Sequence, residues 1–540
     1  MTLPAWVRNR DGRLVQFDPD KISRALFAAA ESLGRPDAFL VRELADGVVH
    51  FLSGESTEQS VTTIQIDEIV IKTVRELGHP VLAEAFAAWA AAKDRSYPID
   101  ATTPGSAELR QLSIPLSNDL TGERLVRDCL RAYSLQEVYS RDLAAAQRDG
   151  LLTLTGLEAP FELAAGVLPH DGDVFEAVCV ARTRVGEFVL LDGPEYLLAS
   201  RPDELPRYVH RLSLALQSLA LYGLVNLNCA VPPTWATNAT AGPLFAGSSS
   251  SEPQRKPKSL ASDFLNTVLA AEKYASRIRI AWHVSEEDIR EDHSEVLRHV
   301  ARRALEGCPI SFVLDRPGVS FVQIATVLHR DDPALLLAVQ LHLPELANQV
   351  AGQADSAARF LQKLGSAVRL ALSAGIQKRE FLRRRGTDAE FLARGFLLDR
   401  AILSLSPAGL DAVVRSLLGC SLFENADGLE FARRVVDRLH DEVYEDGRTR
   451  HLAVMLDASC LLTGAAENGA AADLKSQLRV AADLGSVADL GSTTLHISEC
   501  SASAASELAE SLRWLWKRSE VDYVQLACPY AHSRQLVFSS

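Results

Sequence analysis

The residues best suited to chemistry stand near the start of the chain. Arg8, Arg10 and Arg13 flank a tight Asp11-Gly12 turn, and Lys21 follows within the first turn of an expected helix. A triphosphate needs several cations and backbone N–H donors at close range. A hairpin packed on the N-terminus of that helix would bring Arg10 and Lys21 together, and the helix dipole adds attraction for phosphate. Thr63 precedes a later helix, where it could touch phosphate or cap the helix. Lys93 and Arg95 end a further helix and could fold back over the same site. By composition alone, the same residues also read as a hairpin with solvated charges, because Asp-Gly turns and surface arginines are common.

Elsewhere the chemistry is sparser. Eight cysteines are spread thinly and none forms a CxxC pair, which removes zinc-ribbon and thioredoxin-like signatures. Isolated reduced cysteines are the expectation. Lys378-Arg379 and Arg383-Arg384-Arg385 form a basic cluster that could hold a phosphate or an acidic partner, although a solvated helix face is the preferred reading. His283 follows Trp282 on an expected strand and reads as a core histidine. No Walker A loop, GxGxxG, HExxH or GxSxG string occurs.

The elements that must position these groups follow from turn chemistry and periodicity. Residues 1–97 read as a compact unit. Short strands at Ala5–Val7 and Leu14–Phe17 flank the turn. Asp18-Pro19 opens a helix, Asp as N-cap and Pro at the first helical position. Its apolar residues Ile22, Leu26, Ala29, Ala30 and Leu33 recur at helical spacing. Further helices are expected over Pro36–Leu52, Ile64–Leu77 and Pro80–Arg95. Residues 98–108 are rich in Pro, Gly and Thr and read as a linker. From 109 to 540, helical stretches such as Pro206–Leu221 alternate with β-like runs such as Ile310–Leu314 and Ala453–Leu456, which predicts α/β architecture. Residues 237–259 and 464–474 read as loops.

Length and charge bound the function. At 540 residues the chain exceeds one core, and several domains are expected. A formal charge of −14 argues against a general nucleic-acid binder, which needs a basic face. The N-terminus lacks the apolar core of a signal peptide, and no run reaches the ~18 apolar residues of a membrane span. A cytoplasmic protein is expected.

The string V-x-N-R-D-G, then F-D-x-x-K-I, then I-x-x-x-V, then an alanine-rich helix ending K-D-R resembles the ATP-cone domain. That domain binds ATP or dATP in ribonucleotide reductases and in their transcriptional repressor. The resemblance covers about the first 95 residues, in order. It implies that Val7 packs on the adenine side and that Arg10, Asp11, Gly12 and Lys21 occupy the strongest motif positions. Asp18 stands near the base or ribose, and Thr63 and Lys93 match later contacts. Asn9 departs from the family, where many members carry Lys or Arg, which implies a weakened phosphate contact. A bound Mg ion and self-association through this unit are further implications.

Past the linker, four segments resemble the anaerobic, glycyl-radical class of ribonucleotide reductase. They are Ser140–Pro160, Leu224–Ala236, Leu341–Ala347 and Ser406–Gly419 with the helix through Arg433. The resemblance is colinear and implies a ten-stranded α/β barrel. The expected fold is therefore α/β, a β-hairpin plus four-helix cone followed by a large barrel-like domain. The catalytic parts do not carry over. No R-V-x-G-Y loop for a radical glycine occurs, and Cys528 lacks the paired cysteines of the family's zinc site. Gln147, Thr153 and Thr155-Gly156 stand where the family has histidines. Cys229 and Cys308 are the candidates for a thiyl-forming cysteine on barrel strands; buried structural cysteines are the preferred reading.

Three functions compete. The first is an ATP- or dATP-binding regulatory protein whose reductase-like body has lost radical catalysis. The second is an active anaerobic ribonucleoside-triphosphate reductase whose partner supplies the radical. The third is a nucleotide-sensing transcriptional regulator, disfavoured because no CxxC zinc ribbon precedes the cone.

Overall fold

A computed structural model describes residues 4–9, 12–34, 36–55, 60–95, 122–168, 173–183, 185–199, 201–229, 257–271, 276–290, 294–316, 321–324, 326–329, 334–385, 396–463, 473–486, 491–497 and 501–527. The expected linker and most of both expected loops lie outside these residues. The last three residues of the first loop instead open a helix, Pro257–Ala270.

The N-terminal unit follows the sequence pattern closely. Strands β1 (Trp6–Arg8) and β2 (Leu14–Gln16) form an antiparallel hairpin with Val7 opposite Val15. Asn9 N–H donates to Arg13 O at 2.8 Å and Gly12 N–H to Asn9 O at 2.9 Å. Gly12 has φ +82°, a left-handed conformation that favours glycine. Helices α1 (Asp20–Ser32), α2 (Ala38–Glu55), α3 (Thr63–Glu76) and α4 (Pro80–Arg95) follow. The hairpin gains a third strand, β3 (Ser60–Thr62), parallel to β1. Three residues are too short to show a period; pairing with the open edge of β1 makes them a strand.

Two helix starts differ from expectation. Pro19, with φ −61°, is the N-cap of α1, so the helix begins one residue late. Asp18 still works as a cap, because its Oδ1 accepts the Asp20 N–H at 3.0 Å. Thr62, not Thr63, caps α3. Its hydroxyl accepts the Gln65 N–H while Gln65 accepts the Thr62 N–H at 2.8 Å, a reciprocal capping box.

The body is built on an 11-stranded sheet. Strands β5 (Leu163–Val167), β6 (Val185–Asp192), β7 (Tyr222–Leu227), β8 (Ile278–Val284) and β9 (Ile310–Leu314) run parallel. Helices α5 (Gly122–Tyr133), α6 (Arg141–Arg148), α7 (Val174–Arg182), α8 (Pro194–Leu198) and α9 (Leu205–Ser218) accompany the first of them. A hairpin, β10 (Phe321–Ile324) and β11 (Thr326–His329), intervenes. The second half comprises β12 (Leu335–His342), β13 (Ile402–Ala408), β14 (Val454–Leu456), β15 (Gly491–His496) and β16 (Val521–Ala527).

The two halves join antiparallel at β12–β5 and at β16–β9. The short strand β4 (Leu152–Leu154) pairs with β12 off the main path, leaving ten strands in the order β14-β13-β12-β5-β6-β7-β8-β9-β16-β15. The end strands β14 and β15 share no ladder among the described residues. Asp457 staples them instead. It accepts Ser406 Oγ from β13 at 3.1 Å, Ser492 Oγ from β15 at 2.8 Å, and both the N–H and hydroxyl of Ser459.

One apolar cluster shows that the sheet curls on itself. Ala165, Phe188, Leu190, Leu224, Ala281 and Val313 from the first half pack with Leu335, Ala338, Met455 and Tyr523 from the second. A second, larger cluster lies between the sheet and its surrounding helices, and it includes the core of the N-terminal unit.

The N-terminal unit sits on the body through α1 and α2. Arg42, 2 % exposed, donates to Asp20 at 2.7 Å, and Arg450 donates to the same carboxylate at 2.9 and 3.1 Å. Asp46 accepts Arg369 Nε and Nη2, at 3.0 and 2.8 Å, and Ser366 Oγ at 2.6 Å. Lys363 pairs with Glu43 at 2.5 Å and Arg141 with Glu31 at 2.8 Å.

Candidate functional site

The N-terminal unit encloses a cleft of about 510 Å³, between β1, β2 and the helices α1, α3 and α4. That volume falls within the range of small-molecule sites, roughly 300–1,000 Å³. One side is apolar, with Val7, Val15, Ile22, Ile66, Phe86 and Trp89 among its residues. Phe86 and Trp89 lie with ring centroids 5.8 Å apart and planes inclined at 32°. They recur on one face of α4 because residues three apart are neighbours on a helix. Such a wall accommodates a flat heteroaromatic ring.

The other side is polar, with Asn9, Gln16, Asp18, Lys21, Arg24, Thr63 and Asp67. Asp18 is committed locally: beyond capping α1, its Oδ2 accepts Arg24 at 2.7 Å. Lys21 is exposed and has no ion-pair partner among the described residues. It stands in the first turn of α1, where the helix dipole favours an anion. Thr63 Oγ1 donates to Arg8 O at 3.4 Å and thereby ties α3 to β1.

Five of the residues singled out from sequence therefore share one cleft: Val7, Asn9, Asp18, Lys21 and Thr63. Gly12 turns the hairpin but does not line it. Arg10 and Asp11 lie outside the described residues, and Lys93 is placed on α4 without a described side chain. The aromatic pair Phe86 and Trp89 was missed. Its i, i+3 spacing in an alanine-rich helix was the available signal, but a core helix carries the same pattern.

The body holds a second polar group of residues, not anticipated from sequence. Side chains alternate faces along a strand. Asp192, Asn226, His283 and Asp315 each stand two residues beyond an inward-facing apolar residue, namely Leu190, Leu224, Ala281 and Val313. They form a buried polar layer at the carboxyl ends of β6 to β9. His283 Nδ1 lies 2.9 Å from Asp315 Oδ1, while its Nε2 is buried without a partner among the described residues. Both amide atoms of Asn226 are likewise unpaired. Glu195, 1 % exposed, joins this layer from α8, and neither carboxylate oxygen has a side-chain hydrogen-bond partner among the described residues. Burial pushes its carboxyl up to about 7; the nearby N–H groups of Glu195 and Cys229 and the neighbouring His283 only partly oppose this.

The two cysteine candidates do not lie on strands. Cys229 is two residues past the end of β7, buried, with Sγ 3.9 Å from Asp192 Oδ1. Cys308 is two residues before β9. Because β7 and β9 run the same way, the cysteines sit at opposite ends of the half-sheet, separated by a strand of five residues or roughly 17 Å. The family-like segment at 140–160 keeps its helix, α6, and strand, β4. Gln147 accepts the Leu154 N–H at 2.6 Å, and Thr153 Oγ1 lies 2.8 Å from His342 Nε2.

The basic cluster at 378–385 divides. It lies on the long helix Ser356–Arg385. Lys378 is buried, and burial lowers its ammonium to about 8 despite Glu162 and Glu187. Arg379 donates to His451 O at 2.6 Å, at the C-terminal end of the helix Ala426–Thr449. Arg383 and Arg384 pair with Asp399 and Glu380 at the surface. The cluster is thus neither one solvated face nor one anion site.

Comparison with known proteins matches these two regions separately. Residues 6–95 match the ATP cone domain. No curated protein matches the chain. Among solved structures, the anaerobic ribonucleotide reductase from Thermotoga maritima with dATP bound in the specificity site is similar at 12 % identity. Its TM-score is 0.53, with 76 % of this chain and 86 % of that chain covered. The same enzyme in complex with dATP and CTP gives 12 % identity and a TM-score of 0.51, covering 77 % and 85 %. The chain thus carries an ATP-cone domain at its N-terminus, and its body shares the fold of these reductases. Among the described residues, no helix is long and apolar enough to cross a membrane.

Proposed function

We propose that this protein is a nucleotide sensor, in which the N-terminal cleft binds ATP or dATP and its occupancy controls a reductase-like body. The observation that carries this reading is Lys21. It is an uncommitted cation at the positive end of α1, opening onto a cleft with an aromatic wall, inside the segment that matches the ATP cone domain. The base would lie toward Phe86, Trp89 and Val7. The phosphates would lie toward Lys21, Asn9 and the turn that contains Arg10, Asp11 and Gly12, with Thr63 and Lys93 at the rim.

An accompanying Mg ion would be held by the phosphates and water, as Mg commonly is. Among the described residues, no three-ligand cluster waits for a metal. Titration calorimetry of the full chain with ATP and with dATP tests the reading. Saturable binding below millimolar concentration is expected, and no heat of binding at millimolar nucleotide overturns it.

In this reading the body no longer performs glycyl-radical reduction. Two facts support it: the two cysteine candidates stand at opposite strand ends, and apolar side chains from both halves pack against one another inside the sheet. Anaerobic incubation with a radical-generating activase, ribonucleoside triphosphates and a reductant should give no deoxynucleotide. The polar layer favours a second reading, an active reductase with a partner-supplied radical. Buried Glu195, Asn226 and the Nε2 of His283 have no hydrogen-bond partner among the described residues, and they stand at the carboxyl ends of parallel strands, where α/β folds bind ligands. Deoxynucleotide formation lost in Cys229→Ala would establish that second reading.

Self-association through the cone is supported by Trp6 and Leu14, both exposed on one face of the small sheet. Light scattering of the wild type and Trp6→Ser, with and without ATP, tests it. An unchanged monomer mass throughout overturns it.

A further inference from the structure

We infer that the first turn of α1 couples nucleotide occupancy to the seating of the cone on the body, with Asp20 transmitting the coupling and Arg450 receiving it. This rests on the nucleotide-sensing reading and assigns its route. Successive residues of a helix point about 100° apart. Lys21, Ile22 and Ala25 face the cleft, together with Asp18 just before the helix. Asp20 and Ser23 face the body instead. Ser23 Oγ donates to Asp142 Oδ2 of α6 at 3.3 Å, and Asp20 receives both Arg42 and Arg450. One turn of helix therefore forms part of the cleft wall and part of the docking face.

Each partner of Asp20 is held from behind. Arg42 also faces Asp46 at 3.5 Å, and Asp46 is clamped by Arg369 and Ser366 of the long body helix. Arg450 is held by Asp446 at 2.8 Å, one turn earlier in its own helix. Across this interface the cone supplies carboxylates (Asp20, Glu31, Glu43, Asp46) and the body supplies cations. A buried carboxylate stripped of its partners is strongly unfavourable. A ligand that pulls Lys21 toward its phosphates must therefore carry Arg450 along or leave the buried Asp20 with Arg42 alone. Linkage makes the effect reciprocal, so an altered Arg450 must alter nucleotide affinity.

The test uses the full chain. Hydrogen exchange of the wild type is measured with and without saturating ATP, and ATP affinity is measured for the wild type, Asp20→Asn, Arg450→Gln, Arg450→Lys, Lys21→Ala and Arg141→Ala. Exchange in residues 446–451 should slow when ATP binds. Asp20→Asn and Arg450→Gln should weaken ATP at least fivefold, because α1's first turn must then be ordered on binding. Arg450→Lys should recover part of the loss, and Arg141→Ala, at the far end of α1, should leave affinity unchanged. If the wild type binds ATP and Lys21→Ala weakens it, yet Arg450→Gln and Asp20→Asn stay within twofold and exchange at 446–451 is indifferent to ATP, the coupling is wrong and the sensor reading stands. If the wild type binds no ATP, both fall. Should a variant fail to fold, the wild-type exchange experiment decides alone.

Discussion

The cone and the body solve the same geometric problem, strands covered by helices, with opposite results. In the cone, the small sheet and the helices α1, α3 and α4 leave a cleft in which an apolar wall faces an unpaired cation. In the body, apolar side chains from both halves pack together on the inner face of a much larger sheet, and polar atoms without a partner among the described residues, those of Glu195, Asn226 and His283, gather in a buried layer at the strand ends. A recognition site needs open volume and uncommitted charge in the same place. The cone has both. The body keeps uncommitted polar atoms above a packed interior.

The comparison can be broken at its strongest points first. Removing Arg42 leaves Asp20 with Arg450 as its one cation and opens a buried gap, although burial disfavours the Asp20 carboxyl and Arg42 and Arg450 together hold it below the usual range. Arg42→Ala should destabilise the protein by about 3–5 kcal/mol in chemical denaturation. In the body, Phe188→Ala, which empties part of the packed interior, should cost a similar 3–5 kcal/mol. A loss below about 1 kcal/mol there would mean that the interior is not close-packed.

Glu195 sharpens the contrast through pH. Its carboxyl titrates near 7 when folded and near 4.5 when unfolded. Between those values the folded state binds more protons, so this group's contribution to stability falls as pH rises from about 4.5 to 7 and levels off above. Glu195→Gln should be neutral at pH 4 and stabilising by about 1–3 kcal/mol at pH 8, in denaturant titrations at both pH values. In the cone, Lys21→Ala should weaken ATP roughly tenfold, about 1.4 kcal/mol, with unfolding little changed. The smallest effect is Arg24→Ala. It removes an exposed pair with Asp18 and should move the melting temperature by no more than about 2 °C, the shift expected of a surface salt bridge.

Much of the cone was legible in its sequence. The span Pro80–Arg95 is the helix read from alanine-rich periodicity, and Ile310–Leu314 in the body is the strand read from its apolar run. Both signals are local. Strand β3 was not legible, because it exists through pairing with β1, some fifty residues earlier. The Thr62 cap was misplaced by one residue, since adjacent threonines are equivalent until the helix register is set. Lys378 was read as part of a surface cluster, but burial against the Ala159 carbonyl is a property of the assembled sheet.

The sequence by itself determined the hairpin turn at Gly12, the helices that follow, the placing of Lys21 in a first helical turn, and the resemblance to an ATP cone. These rest on backbone preference and short periods, which neighbours in the chain enforce. The tertiary structure alone decided that Asp20 turns away from Lys21 to meet Arg450, that Asp457 closes the seam between β14 and β15, and that Cys229 and Cys308 lie at opposite strand ends. Each of these joins residues tens to hundreds of positions apart, or depends on strand direction, and no local preference encodes either. Burial then fixes their chemistry, because desolvation acts only once the partners are assembled.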